Sequence, residues 1–142
     1  MAGSFRAIAE LTRGYGVEDR VIGSVLSALA ALSFLGLGAG SLMAPGTLAE
    51  NYGLPVRDET AFAFVRAVGA RDAVLGLIVL TFLFSKARGP LGATVALAAL
   101  IGASDFAIVY TTRGLAAKKN LAIHGLGTVG SLAVWSLVRA GL

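Results

Sequence analysis

The sequence predicts an all-α integral membrane protein built as a four-helix antiparallel bundle, and three observations carry that prediction. Hydrophobic residues make up 56% of the 142-residue chain and charged residues only 14%, where a soluble domain carries about a quarter. The apolar residues are gathered into four long stretches. The connections between them are short, which forces neighbouring helices to run antiparallel. A mean hydropathy of +0.81 leaves too little polar surface to cover a soluble domain of this length. An ordinary cytosolic enzyme and a disordered chain are both excluded.

Residues 1–20 form the sizeable segment outside the spans. Phe5, Ile8, Ala9 and Leu11 recur at near-helical spacing beside Arg6, Glu10 and Arg13, which predicts a short helix lying on the membrane surface. The segment lacks the continuous apolar core of a signal peptide. Residues 21–142 then hold the membrane domain. The first span, Val21 to Ala44, contains no ionisable residue, and at 1.5 Å per residue it reaches about 36 Å, enough to cross a hydrocarbon core. The second span is expected over residues 60–85, between Asp58-Glu59 and Lys86-Ala87-Arg88. The third covers 90–112, with Pro90 at its start, where a missing N–H costs nothing. The fourth covers 120–138. The longest connection, residues 45–59, carries the turn formers Pro45-Gly46, Asn51, Gly53 and Pro55 and reads as a loop.

Six Lys and Arg flank the spans on the side of the termini, and four flank them on the other side. That asymmetry predicts that both termini are cytoplasmic, and the Ala-, Gly- and Leu-rich usage suits a bacterial inner (plasma) membrane. Small residues mark expected packing seams: Gly36 with Gly40, the Gly69, Ala73 and Gly76 set, the Gly92, Ala96 and Ala99 set, and Gly127 with Ser131. Such seams also make a homo-oligomer an open expectation.

The chain is basic by +4, but the charge is spread over ends and loops without interleaved aromatics, so no nucleic-acid partner is expected. The absence of cysteine excludes disulfides and thiolate chemistry. With a single histidine, no metal site is expected. The glycines lie inside spans, so no phosphate-binding loop forms and no cofactor is expected. The expected partners are the lipid bilayer and a lipophilic small molecule.

Chemistry, if present, lies with ionisable residues inside the spans: Arg66, Arg71 and Asp72 on the second, Asp105 on the third and His124 on the fourth. Each costs at least about 2.5–3.5 kcal/mol at bilayer depth, so such residues turn inward and pair. Two Arg against two Asp balance formally. Counting turns brings them to the half of the membrane that carries the 45–59 loop. Side chains at i and i+1 diverge by about 100° on a helix, so Arg71 and Asp72 are expected to find partners on other helices, with Asp105 the partner of Arg66 or Arg71 and His124 joining it. Asn120, His124, Thr128, Ser131 and Trp135 form one polar stripe on the fourth span. With Ser104 and Tyr110 they predict a polar pocket open toward the loop side. The competing roles are structural: a snorkelling Arg66, ion pairs that only lock helix orientation, an interfacial His124, and Tyr110 and Trp135 as interface anchors.

The expected roles follow. Asp105 and Asp72 serve as general acid and base, and His124 relays a proton to the aqueous side. Arg66 and Arg71, with Thr128, Ser131, Tyr110 and Asn120, hold the substrate. Isomerisation, cyclisation and epoxide opening need only such proton transfers. A non-catalytic carrier, proton-linked transporter or accessory subunit is the alternative.

The turn Met43-Ala44-Pro45, the Tyr52-Gly53-Leu54-Pro55 stretch, the run Arg66-Ala67-Val68-Gly69-Ala70-Arg71-Asp72 with Gly76, and the later Asp105 and His124 together resemble the DUF4267 family of small four-span membrane proteins. That family is distantly similar to DoxX-like four-helix proteins. The resemblance covers about residues 20–140 and implies a four-helix membrane bundle. It carries little function, beyond the similarity of some relatives to genes beside pathways for lipophilic secondary metabolites.

Overall fold

The computed structural model describes the backbone of residues 2–140 and the side chains of residues 18–140. Five α-helices follow one another: α1 (Ala2–Met43), α2 (Pro45–Tyr52), α3 (Glu59–Phe84), α4 (Arg88–Arg113) and α5 (Lys118–Ala140), with a 3₁₀ turn at Gly114–Ala117. Three helical runs are long and apolar enough to cross a membrane: Glu18–Met43, Glu59–Phe84 and Arg88–Ala140. The last is α4 and α5 joined through the 3₁₀ turn, where Gly114 takes a left-handed φ of 55°. Val109 clusters with Leu121, Gly102 meets Thr128 and Gly92 meets Val138, so α5 runs back along α4. The result is a four-helix bundle.

Two differences from the sequence expectation concern the ends of the first span. The backbone of residues 2–20 is helical and continuous with the span rather than a separate short helix. Its expected amphipathic face, with Phe5, Ile8 and Leu11, lies outside the described side chains. Residues 45–59, expected as a loop, contain the two-turn helix α2. Pro45 stands at its first position, and it closes on Gly53 at φ 102°. The N–H groups of Gly53 and Leu54 both reach back to Ala49 O, the left-handed closure that glycine permits without steric cost. Asp58 then caps α3 by accepting from Ala61 N at 2.9 Å.

Close backbone approach builds the bundle. A Cβ placed on Gly38 would lie 2.7 Å from both Ala73 Cβ and Gly69 O, and one on Gly76 would lie 2.8 Å from Ala31 O. A Cβ on Gly69 would collide with Ser41. Gly69, Ala73 and Gly76 thus face α1 as their spacing predicts. The expected Gly36–Gly40 pair does not: Gly36 meets nothing and Gly40 faces Leu48, because the helix presents Gly38 and Ser41 to α3. Gly127 also meets nothing, and Thr128 takes the seam position against Gly102.

The apolar core sits toward the termini side, where Ala31, Val79, Leu91, Val95, Val134 and Val138 cluster and Trp135 packs against them. Trp135 also lies under the Arg139 guanidinium, 5.6 Å from it. A smaller cluster at the other end joins Val109, Ala117 and Leu121 to Tyr52 and Leu54. That second cluster seats the α2 segment on the ends of α4 and α5. It also places the site.

Candidate functional site

Three charged side chains meet between α3 and α4. Arg71 Nε and Nη2 both donate to Asp72 Oδ1, at 3.0 and 2.8 Å. The same Nη2 lies 3.9 Å from Asp105 Oδ2. The side chains of Asp72 and Asp105 are 11% and 15% exposed, that of Arg71 42%. Arg71 is the thirteenth of 26 residues in α3, so it starts about 18 Å below the loop-side end of the helix. Asp105 is eight residues from the end of α4, about 12 Å deep. Helical side chains tilt toward the N-terminus, and for α3 that direction is toward Asp105. The tilt closes the difference in depth.

The Arg71–Asp72 pair corrects the expectation that adjacent helix residues leave each other unpaired. The Cβ atoms do diverge, but the long arginine stem folds back around the helix and spans both its neighbour and α4. Arg66 stays out of the cluster. It lies 3.8 Å from Glu59 at the exposed end of α3, a geometry worth little, so the formal balance of two Arg and two Asp is not realised. Among the described residues the cluster has one guanidinium for two carboxyl groups.

His124 corrects a second expectation. Instead of joining Asp105 directly, its Nε2–H donates to the Tyr52 carbonyl at 3.1 Å. The Tyr52 ring meets the imidazole edge-on with centroids 4.5 Å apart, and Asp105 acts electrostatically on the Tyr52 phenol. Asn120 Nδ2 donates to Asn51 O at 2.6 Å, and the left-handed Gly53 lies against Asn120 so closely that a Cβ would stand 2.9 Å from it. Thr128 Oγ donates to His124 O at 2.9 Å. The polar stripe on α5 therefore holds the α2 segment down. On the loop side, where a polar pocket was expected to open, Tyr52 packs against His124 instead, because α2 and Gly53 fold the segment back onto the bundle. Ser131 lies farther along α5, half-buried.

Tyr110 departs farthest. It is 51% exposed and stacks on Phe106 at 6.3 Å on the outer surface. There the two line an open, apolar groove of about 540 Å³ with Leu115, Lys118, Leu121 and Leu126. None of Arg71, Asp72, Asp105 and His124 lines that groove. No group of three or more His, Cys, Asp or Glu side chains among the described residues is placed to hold a metal.

Tyr52 is the site residue that sequence reasoning missed. A lone aromatic between turn formers, Asn51-Tyr52-Gly53, was the available signal. Burial, and then the facing Asp105 carboxylate, hold its phenol well above the ordinary range; Asp72 adds to this and Arg71 opposes it. The folded chain thus keeps Tyr52 neutral where the unfolded chain ionises, near the ordinary value of 10.0. Its contribution is intact below that pH and is lost as pH rises beyond it. Above about pH 10 the thermal midpoint of the wild type is expected to fall more steeply than that of Tyr52→Phe. Parallel curves would refute the placement of the phenol.

Comparison with curated proteins and with solved structures finds no match to this chain. A family model does match, over residues 31–139, which takes in α2, the α1–α3 glycine seam, Arg71, Asp72, Asp105 and His124, and its description is a domain of unknown function. The chain belongs to the DUF4267 family.

Proposed function

We propose that the protein is a cofactor-independent acid–base enzyme of the membrane that isomerises, cyclises or opens an epoxide in a lipophilic small molecule. The observation that supports this is the holding of two carboxyl groups, from facing helices, by a single guanidinium inside a span. The cluster is electrically neutral in the form that carries one acidic proton, and that form contains both an acid and a base. In an isomerisation, one carboxylate of the Asp72 and Asp105 pair takes a C–H proton. The other carboxyl returns one elsewhere on the same molecule, and the double bond moves between them. In an epoxide opening, the acid protonates the oxygen as the C–O bond breaks, and the base takes a proton from the attacking hydroxyl or water. Either way the proton count is restored with roles exchanged. Arg71 orients both carboxyl groups. His124 and Tyr52 link the cluster to the loop-side surface. The Lys and Arg asymmetry supports cytoplasmic termini, and the Ala-, Gly- and Leu-rich usage supports a bacterial inner membrane.

The test is incubation of the reconstituted protein with lipophilic extract, followed by untargeted mass spectrometry. The expected product is an isomer of unchanged mass, or one heavier by a single water. Asp105→Asn and Asp72→Asn should each slow its formation about 10²–10⁴-fold. Full turnover by both folded variants would overturn the reading. The carrier or subunit alternative has one observation in its favour: Gly127 and Gly130 on α5 meet nothing within the chain, which leaves a surface for a second copy. On that reading no product forms.

A further inference from the structure

Arg71 offers more hydrogen bonds than its neighbours use. Its Nε and Nη2 are engaged by Asp72 and Asp105, while Nη1 has no partner among the described residues. An N–H left unmet in hydrocarbon is costly. The Arg71 side chain is also 42% exposed, so it is reachable from outside the bundle. Of the neighbouring spans, α3 and α4 touch one another least. Their apolar packing lies at the turn end, where Val79, Leu91 and Val95 cluster with Phe82 and Leu83. Toward the loop end the Arg71–Asp105 contact ties the two helices. Val68 and Val74, a turn to either side of Arg71, and Ile108, a turn beyond Asp105, are all exposed and share the helix faces of those residues.

We propose that the gap between α3 and α4 is a lateral doorway to the site, and that it receives a lipophilic molecule presenting an uncharged oxygen acceptor, such as a ketone, ester or epoxide oxygen, to Arg71 Nη1. The inference rests on the enzyme reading and names its substrate class. A plain hydrocarbon leaves the donor unmet. A carboxylate or phosphate would enter beside two carboxyl groups with one guanidinium between them, where like charge opposes it. An uncharged oxygen satisfies the donor without that repulsion. The Val68, Val74 and Ile108 faces match an apolar body.

The test uses protein in lipid nanodiscs and a long-chain methyl ketone carrying a photoreactive diazirine close to its carbonyl. Unlabelled ketone, alkane and carboxylate of equal chain length serve as competitors. Labelling is expected on the α3 and α4 segments flanking Arg71 and Asp105, with the ketone competing at least about tenfold better than the other two. Arg71→Gln should erase that preference. Val74→Trp, which fills the doorway and leaves the charges alone, should suppress the labelling, and it decides the matter if Arg71→Gln does not fold. Equal competition by ketone and alkane, stronger competition by the carboxylate, or labelling confined to the outer groove at Leu115, Leu121 and Leu126 would overturn the proposal. Deuterium uptake next to the ketone carbonyl in heavy water separates this claim from the enzyme reading. Arg71-dependent binding without exchange counts against acid–base chemistry alone, and exchange without ketone preference counts against the doorway alone.

Discussion

Gly69→Leu is expected to leave no folded protein that survives extraction in mild detergent. The position faces Ser41 and the backbone of Gly38 across the α1–α3 seam, and a single added Cβ already collides there. The neighbours are backbone and a short side chain, so they cannot swing aside. Overpacking a well-packed core typically costs about 1–3 kcal/mol, and separating two helices whose backbones touch belongs above that range. Lipid supplies no hydrophobic drive to restore the contact, since helix association in membranes depends on close packing. Gly127→Leu is the matched control: nothing lies within 4 Å of its Cβ position, and a change within about 0.5 kcal/mol is expected. Size-exclusion profiles and thermal midpoints of the two variants check the contrast. Equal behaviour would refute the seam.

Arg71→Leu is expected to destabilise the bundle by about 1–3 kcal/mol, below the range for a fully buried ion pair because the arginine side chain is 42% exposed. The loss comes from what is left behind, two carboxyl groups facing each other across α3 and α4 with no counter-charge. Replacing the whole cluster differs from breaking it, because neutral groups of similar shape carry no uncompensated charge. The triple variant Arg71→Leu, Asp72→Asn, Asp105→Asn should therefore recover most of the lost stability. Thermal midpoints of the single and triple variants against wild type provide the check. A single variant as stable as wild type would mean that the ion pairs contribute nothing to the fold.

The spans were legible because their signal is additive: a run such as Val21 to Ala44 is apolar at every turn, and the observed ends of α3, α4 and α5 lie within two residues of the expected ones. The seam was legible only on α3. In the α1 run, Gly36, Gly38 and Gly40 alternate, and which of them meets α3 depends on the rotation of the whole helix, which no local pattern encodes. The cluster was half legible. Depth counting put Arg71, Asp72, Asp105 and His124 in the same half of the membrane, but the adjacent Arg71–Asp72 pair depends on rotamers of a long side chain. Arg66 had a nearer acid in Glu59, one that lies closer to water. The packing of Tyr52 on His124 was hidden, because it comes from the Gly53 turn and from the docking of α2 on Asn120 and His124, contacts about seventy residues apart in sequence.

The central claim is that the Arg71, Asp72 and Asp105 cluster serves a lipophilic ligand rather than only fixing helix orientation. The triple neutral variant tests it most directly, since it removes the chemistry while keeping the bundle. Wild type and triple variant would be purified in mild detergent from native membranes, and their organic extracts compared by mass spectrometry. A lipophilic compound bearing an oxygen function, retained by the wild type and missing from the folded variant, is the predicted result. Identical extracts from two equally folded proteins would contradict it and leave the charges a structural role.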